Sequence, residues 1–320
     1  MKRYILIPAV LFLAMARPSL ACEFCQCLLG LNPLYSSSNT LALHLVHQRW
    51  TYAQGGDPGT PHSKRAFGGA SFSPSLMHQD HGDGDIPRSE TRRTLELAYR
   101  HHITPDLLAV AILPYVMSTE TGEQSATAEG IGDPMLLGYY VLRGEAAPGV
   151  PATLLVGGGA TVPVGRYRTA GGLPGNPHLM PGSGSVDLLL NTTATMQAGG
   201  WTFGADLFGR FATPNRFDTR LGPSGTFSLS VNRDLLRDNE EEIAVVGIAG
   251  ARGELSGDDR IEGVIDPGSA RRVAFGMLGG QVVVGSWKLD FSLLVPVARA
   301  GESVVHREDP RFVVGGRLEL

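Results

Sequence analysis

The chain contains no run of about 20 uninterrupted apolar residues, which excludes a protein that crosses a bilayer on helices. Charge is scarce as well. Asp, Glu, Lys and Arg make up 18% of the residues, the formal net charge is −4 and no basic stripe is present, so nucleic acid is not an expected partner. Helix-period patterning is sparse, and many of the 42 glycines fall inside extended-looking runs, which argues against a helical fold. No Gly-x-Ser-x-Gly elbow occurs, and the expectation is a protein that is not an enzyme. His101-His102 beside Asp106 reads as a rim feature rather than as catalytic machinery. Aromatics, at 7%, are few for a membrane barrel, and the chain ends in Leu320 where such chains often end in an aromatic. The final segment nevertheless alternates Phe312, Val314, Gly316, Leu318 and Leu320.

What the chain does have is a period of two. In Trp201-Phe203-Ala205-Leu207-Gly209-Phe211 and Trp287-Leu289-Phe291-Leu293-Val295 the residues between include Thr202, Asp206, Arg210, Lys288, Asp290 and Ser292. Successive side chains in a strand point to opposite faces, so each segment has one apolar face and one polar face. Twelve such strands are expected, at 40–52, 91–102, 106–117, 131–143, 151–164, 184–197, 201–213, 224–235, 242–253, 271–284, 287–298 and 310–320. Short connections alternate with long polar ones, apart from the middling 144–150. Single-chain outer-membrane barrels carry short periplasmic turns and long outer loops in this order.

The fold class expected is therefore all-β, a transmembrane antiparallel barrel with both ends in the periplasm. About twelve strands predict a narrow lumen rather than a wide pore. Its candidate lining is Glu96, Arg100, Asp187, Asn191, Asp206, Arg210, Asn232, Lys288 and Asp290, all on polar faces. Both signs are interleaved along them, as in a self-paired wet interior. Trp201 and Trp287 start strands at the periplasmic rim, where an aromatic girdle belongs.

The first residues read as a secretory leader: Met1-Lys2-Arg3, an apolar run from Ile5 to Ala16, then Ser19-Leu20-Ala21. The expected organisation is a leader at 1–21, a cysteine-containing segment at 22–38 that plugs the barrel, and the barrel at 39–320, placed in the outer membrane. The stretch Leu28-Leu29-Gly30-Leu31-Asn32-Pro33 is apolar enough to serve as the plug. All three cysteines lie in Cys22-Glu-Phe-Cys25-Gln-Cys27. Their spacing suits Cu(I) or Zn, and equally a disulfide with one thiol left over; Cys22 is also placed for acylation, although Ser19 stands where lipoproteins usually carry Leu. Haem attachment is excluded, since Gln26 stands where a c-type site needs His. The first long loop carries His78, Asp80 and His81 before Asp83 and Asp85, a pattern that ligates Zn, Cu or Ni or forms a solvated loop.

The chain resembles the outer-membrane family known as "MetA pathway of phenol degradation", which is distantly like the long-chain fatty-acid channels. The resemblance rests on Cys22-x-x-Cys25-x-Cys27 and Gly130-Ile-Gly-Asp133-Pro-Met-Leu-Leu-Gly138, then on Gly157-Gly158-Gly159 with Pro163-Val-Gly165, and on Gly182-x-Gly-Ser185-x-Asp187. Related chains tend to carry Gly where this one has Gln26. The resemblance implies an outer-membrane barrel that moves a small, hydrophobic or aromatic solute. The alternative from another class is an outer-membrane protein that handles copper or zinc with the Cys cluster and the His/Asp loop; a third is a structural barrel. The expected partners are the bilayer and a small solute.

Overall fold

The computed structural model describes residues 38–52, 89–122, 125–168, 178–238, 242–266, 269–300 and 305–320. These residues form β1 (Thr40–Tyr52), β2 (Ser89–Thr104), β3 (Leu107–Thr121), β4 (Ala126–Ile131), β5 (Met135–Ala147), β6 (Val150–Thr161), β7 (Asp187–Ala198) and β8 (Trp201–Ala212). They continue with β9 (Ser224–Asp238), β10 (Ile243–Ser256), β11 (Asp259–Ile261), β12 (Val264–Asp266), β13 (Arg271–Val284), β14 (Trp287–Ala300), β15 (Val305–Glu308) and β16 (Arg311–Glu319). Among them no helix is long and apolar enough to cross a membrane.

The sheet closes on itself. β1 pairs with β2 on one side and with β16 and β15 on the other, and neighbours in between are antiparallel. Two spans are each built from two consecutive strands, β4 with β5 and β15 with β16, so the wall is a closed barrel of twelve spans. Closure removes the unpaired edges that an open sheet would expose.

Burial alternates along each strand. In β1 the side chains of Thr40, Ala42, His44, Val46, Gln48 and Trp50 are buried, while Leu41, Leu43 and Leu45 are exposed on the outer face. The same outer band carries Leu95, Leu97, Tyr99, Leu188, Leu190, Phe203, Leu289 and Phe291, an apolar belt that suits hydrocarbon rather than water. One end of the barrel has tight connections. Gly199 and Gly200 join β7 to β8 at φ 57° and 79°, the doubly positive geometry of a two-residue hairpin turn. The other end carries the long connections; the two are called here the turn end and the loop end.

The two divided spans break at the same dipeptide. Asp133-Pro134 separates β4 from β5, and Asp309-Pro310 separates β15 from β16. Proline has no N–H to give to the ladder, so a strand must restart after it. Pro114 acts on the partner: β3 pairs with β5 up to Ile112 and with β4 from Tyr115 onward. The long connection after β10 is also not plain loop. It holds the hairpin β11–β12, pinned to the preceding connection by the bridge between Arg220 and Arg260.

Candidate functional site

The site is the barrel interior, and its two walls differ. From β3 to β8 many of the inward side chains join one apolar cluster: Leu108, Val110 and Ile112 on β3, Met135, Leu137, Tyr139 and Val141 on β5, Leu155 on β6, Leu189 on β7 and Phe208 on β8. Ala42 and Ala98 extend it onto β1 and β2. Tyr139 fits because its neighbour on β6 has no side chain: a Cβ on Gly157 would stand 2.4 Å from the Tyr139 ring. The glycine-rich stretch 157–159 is therefore a steric requirement of this wall.

The opposite wall, β10 and β13 to β16, is layered. At the loop end Glu254, fully buried, collects three arginines. Its Oε1 accepts from Arg252 Nε at 3.0 Å and Arg311 Nη1 at 2.8 Å, and its Oε2 accepts from Arg271 Nη2 at 2.9 Å. Glu308 accepts from Arg311 Nη2 at 2.9 Å and forms an ion pair with Arg271, whose Nε stands 3.1 Å from its Oε1. Arg311 also lies 4.4 Å above the Phe275 ring. Below this cluster comes an apolar waist of Val46, Val273, Phe275, Met277, Leu294 and Val313. Toward the turn end charge returns: Lys288 Nζ donates to Glu319, His44 Nε2 stands 3.5 Å from Asp290, and Arg100 and Arg317 are buried beside them.

Of the lining expected from the sequence, Glu96, Arg100, Asp187, Asn191, Arg210, Asn232 and Lys288 are buried on the inner face, and Asp206 and Asp290 are half-buried there. The structure brings Asp187 and Arg210 into an ion pair, with Ser185 Oγ donating to Asp187 Oδ1 at 2.8 Å. Asp206 accepts from Asn191 Nδ2 at 3.0 Å and Thr193 Oγ1 at 2.7 Å. These side chains are packed against their neighbours on the inner face.

Three of the glycine-rich pieces that carry the family resemblance converge at the loop end, around Asp133, Gly165 and residues 182–185. Asp133 Oδ1 accepts from Gly165 N at 2.8 Å, and its Oδ2 accepts from Ser183 N at 2.6 Å and Ser183 Oγ at 2.8 Å. This carboxylate ties three separate glycine-rich pieces together and holds the 178–185 segment across the mouth. Leu179 and Met180 pack on Ala128, Arg92 Nη1 donates to the His178 carbonyl at 2.7 Å, and His178 Nε2 stands 2.9 Å from Asp259 Oδ2. The segment thereby spans from β2 to β11.

The sequence reading expected a polar interior and missed the apolar inner faces. The signal was present in Leu107-Leu108-Ala109-Val110-Ala111-Ile112-Leu113, which is apolar at both parities and so greasy on both sides of the wall. The candidate metal ligands Cys22, Cys25, Cys27, His78, Asp80 and His81, and the plug segment, lie outside the described residues. Among the described residues no group of three or more His, Cys, Asp or Glu side chains is arranged to hold a metal.

Comparison with solved structures finds the same architecture in an outer membrane channel from Pseudomonas putida, at TM-score 0.60 and 14% identity over 88% of this chain and 95% of that one. Weaker similarity extends to the translocator domain of the autotransporter NalP from Neisseria meningitidis, at TM-score 0.40 and 11% identity, covering 91% of each chain. LpxR from Salmonella typhimurium also gives TM-score 0.40 at 11% identity, over 88% of this chain and 100% of that one. No curated protein sequence matches the chain. The sequence profile of one family matches residues 80–302, and by that match the chain belongs to the family described as "Putative MetA-pathway of phenol degradation".

Proposed function

We propose that the protein is an outer-membrane channel through which a small, uncharged, hydrophobic or aromatic solute passes, with the turn end in the periplasm and the loop end outside. The carrying observation is the division of the interior. One wall carries a continuous apolar cluster beside the Asp187–Arg210 pair, and the loop-end charges of the other are paired with one another. Paired charges hold their own counter-charges and offer a passing ion little; the apolar wall offers contact to a ring or alkyl group. The solved channel of similar architecture and the phenol-degradation description of the family support the same reading. The reading includes export on a leader at 1–21, with 22–38 preceding β1 on the periplasmic side.

Planar-bilayer recording tests it. The expected result is small ion currents that a neutral aromatic alcohol such as benzyl alcohol interrupts, while glycerol at the same concentration does not. Absence of any conductance step, or equal interruption by both solutes, would overturn the proposal.

A further inference from the structure

The outer face of the barrel is not uniform at the loop end. Across three adjacent strands, β15, β1 and β2, it presents Arg307, Arg49 and Arg93. Their registers place them within a few residues of one another: Thr51 is opposite Arg307, Arg49 is opposite Thr91, and His47 is opposite Arg93. Neighbouring strands lie about 4.8 Å apart and same-face residues about 6.8 Å apart along a strand, so the three guanidiniums share one small area. Arg307 and Arg49 are well exposed, with side-chain exposures of 77% and 53%, and Arg93 is exposed too.

Among the described residues one acid sits between them. Asp309 Oδ2 is 3.8 Å from Arg49 Nε, and its Oδ1 is 3.5 Å from Arg307 Nε. A single carboxylate shared between two guanidiniums leaves the described part of the patch positive. Glu129 on β4 is two strands away from Arg93, through Met117. Directly toward the turn end, β1 and β2 expose Leu45 and Leu95, and β16, which continues the span of β15, exposes Phe312 and Val314. The basic patch thus borders the apolar belt where hydrocarbon would give way to headgroups. On the other side of the barrel, Val186 just before β7, Phe211 on β8 and Phe227 on β9 lie exposed near the loop end.

We propose that this face of β15, β1 and β2 is a binding site for a phosphorylated lipid of the outer leaflet, a phosphoglycolipid of the lipopolysaccharide class. Its acyl chains lie on Leu45, Leu95 and Phe312, and its phosphate is held by Arg49, Arg93 and Arg307. Guanidiniums suit this task because their planar fork of donors matches phosphate geometry and their weak hydration lowers the cost of leaving water. Basic residues at a headgroup boundary add roughly equal increments of attraction to an anionic lipid. The site rests on the outward placement of the loop end proposed above, yet binding in detergent can be measured without assuming that placement.

The experiment titrates the folded, detergent-solubilised protein with phosphorylated lipid A, with its dephosphorylated form, and with inorganic phosphate. Phosphorylated lipid A is expected to bind and to raise the temperature at which the barrel loses its heat-modifiable mobility, with the dephosphorylated lipid at least roughly tenfold weaker. The triple variant Arg49→Ser/Arg93→Ser/Arg307→Ser is expected to bind roughly a hundredfold more weakly, whereas Arg143→Ser, at the turn end, binds as the unaltered protein does. Equal binding of both lipids, unchanged binding by the triple variant, or saturation by inorganic phosphate at the same concentration would each overturn the proposal. Should the triple variant fail to fold, the comparison of the two lipids on the unaltered protein decides by itself.

Discussion

The two walls of the lumen fill the same kind of space with opposite chemistries. From β3 to β8 the interior is closed in good part by Leu, Val, Ile, Met and two aromatic rings, whose attraction is undirected and divisible, beside the Asp187–Arg210 pair. From β10 to β16 the loop end is closed by three arginines and two glutamates, whose attraction depends on every member being present. A wall of the first kind loses stability in small portions when residues are trimmed. A wall of the second kind fails at its shared acceptor.

The largest effect is expected at that acceptor. Glu254→Leu leaves Arg252, Arg271 and Arg311 buried with Glu308 alone, and should cost about 3–5 kcal/mol, read as a lowered urea midpoint of the folded barrel in detergent. On the apolar wall Leu189, equally buried, should cost about 2 kcal/mol as Leu189→Ala, because water from the lumen can enter the space it leaves. If Leu189→Ala proves the more damaging of the two, the contrast between the walls is wrong.

A smaller loss, about 1–2 kcal/mol, is expected of Gly157→Val, whose new side chain meets the Tyr139 ring and the Gly138 carbonyl oxygen; Tyr139→Ala in the same chain should restore the thermal midpoint only in part, since the backbone contact stays. Arg143 Nη1 donates to Asp106 Oδ1 at 2.8 Å at the turn end, where both partners are about half-exposed. Solvent screens that pair, so Arg143→Ser should shift the midpoint by less than about 1 kcal/mol. An effect as large as that of Glu254→Leu would show that ion pairing, and not burial, sets the difference.

The smallest effect lies off both walls, in the β11–β12 hairpin. Burial, and then the Asp259 carboxylate, push the Asp266 carboxyl above its ordinary range. A carboxyl whose folded value is raised binds its proton more tightly when folded, so its contribution is present in acid and is lost as pH rises through that folded value. Asp266→Asn should therefore protect the amide of Val264, opposite Ile261 in the hairpin, from hydrogen exchange better than aspartate does near neutrality, and should flatten the dependence of that protection on pH.

Much of this was legible in advance. The expected strands at 40–52, 201–213, 271–284 and 287–298 match β1, β8, β13 and β14 to within two residues, since strand periodicity and turn residues are local properties. The span expected at 131–143 is instead two strands, because Asp133-Pro134 interrupts the ladder and β4 begins before it. The pairing of His178 with Asp259, and of Arg311 with Glu254, joins residues far apart in the chain, and no spacing rule reaches that far. The Asp133 carboxylate was visible as part of a motif, but its partners at Gly165 and Ser183 were not.

The sequence by itself determined the number of spans, the order of short and long connections and the split between outer and inner residues, because a strand's two faces are written in alternate positions. Only the tertiary structure decided which inner residues meet. Closing the barrel sets the height of each side chain against its neighbours, and that register makes one wall apolar, gathers three arginines on Glu254 and draws Arg49, Arg93 and Arg307 onto one outer patch.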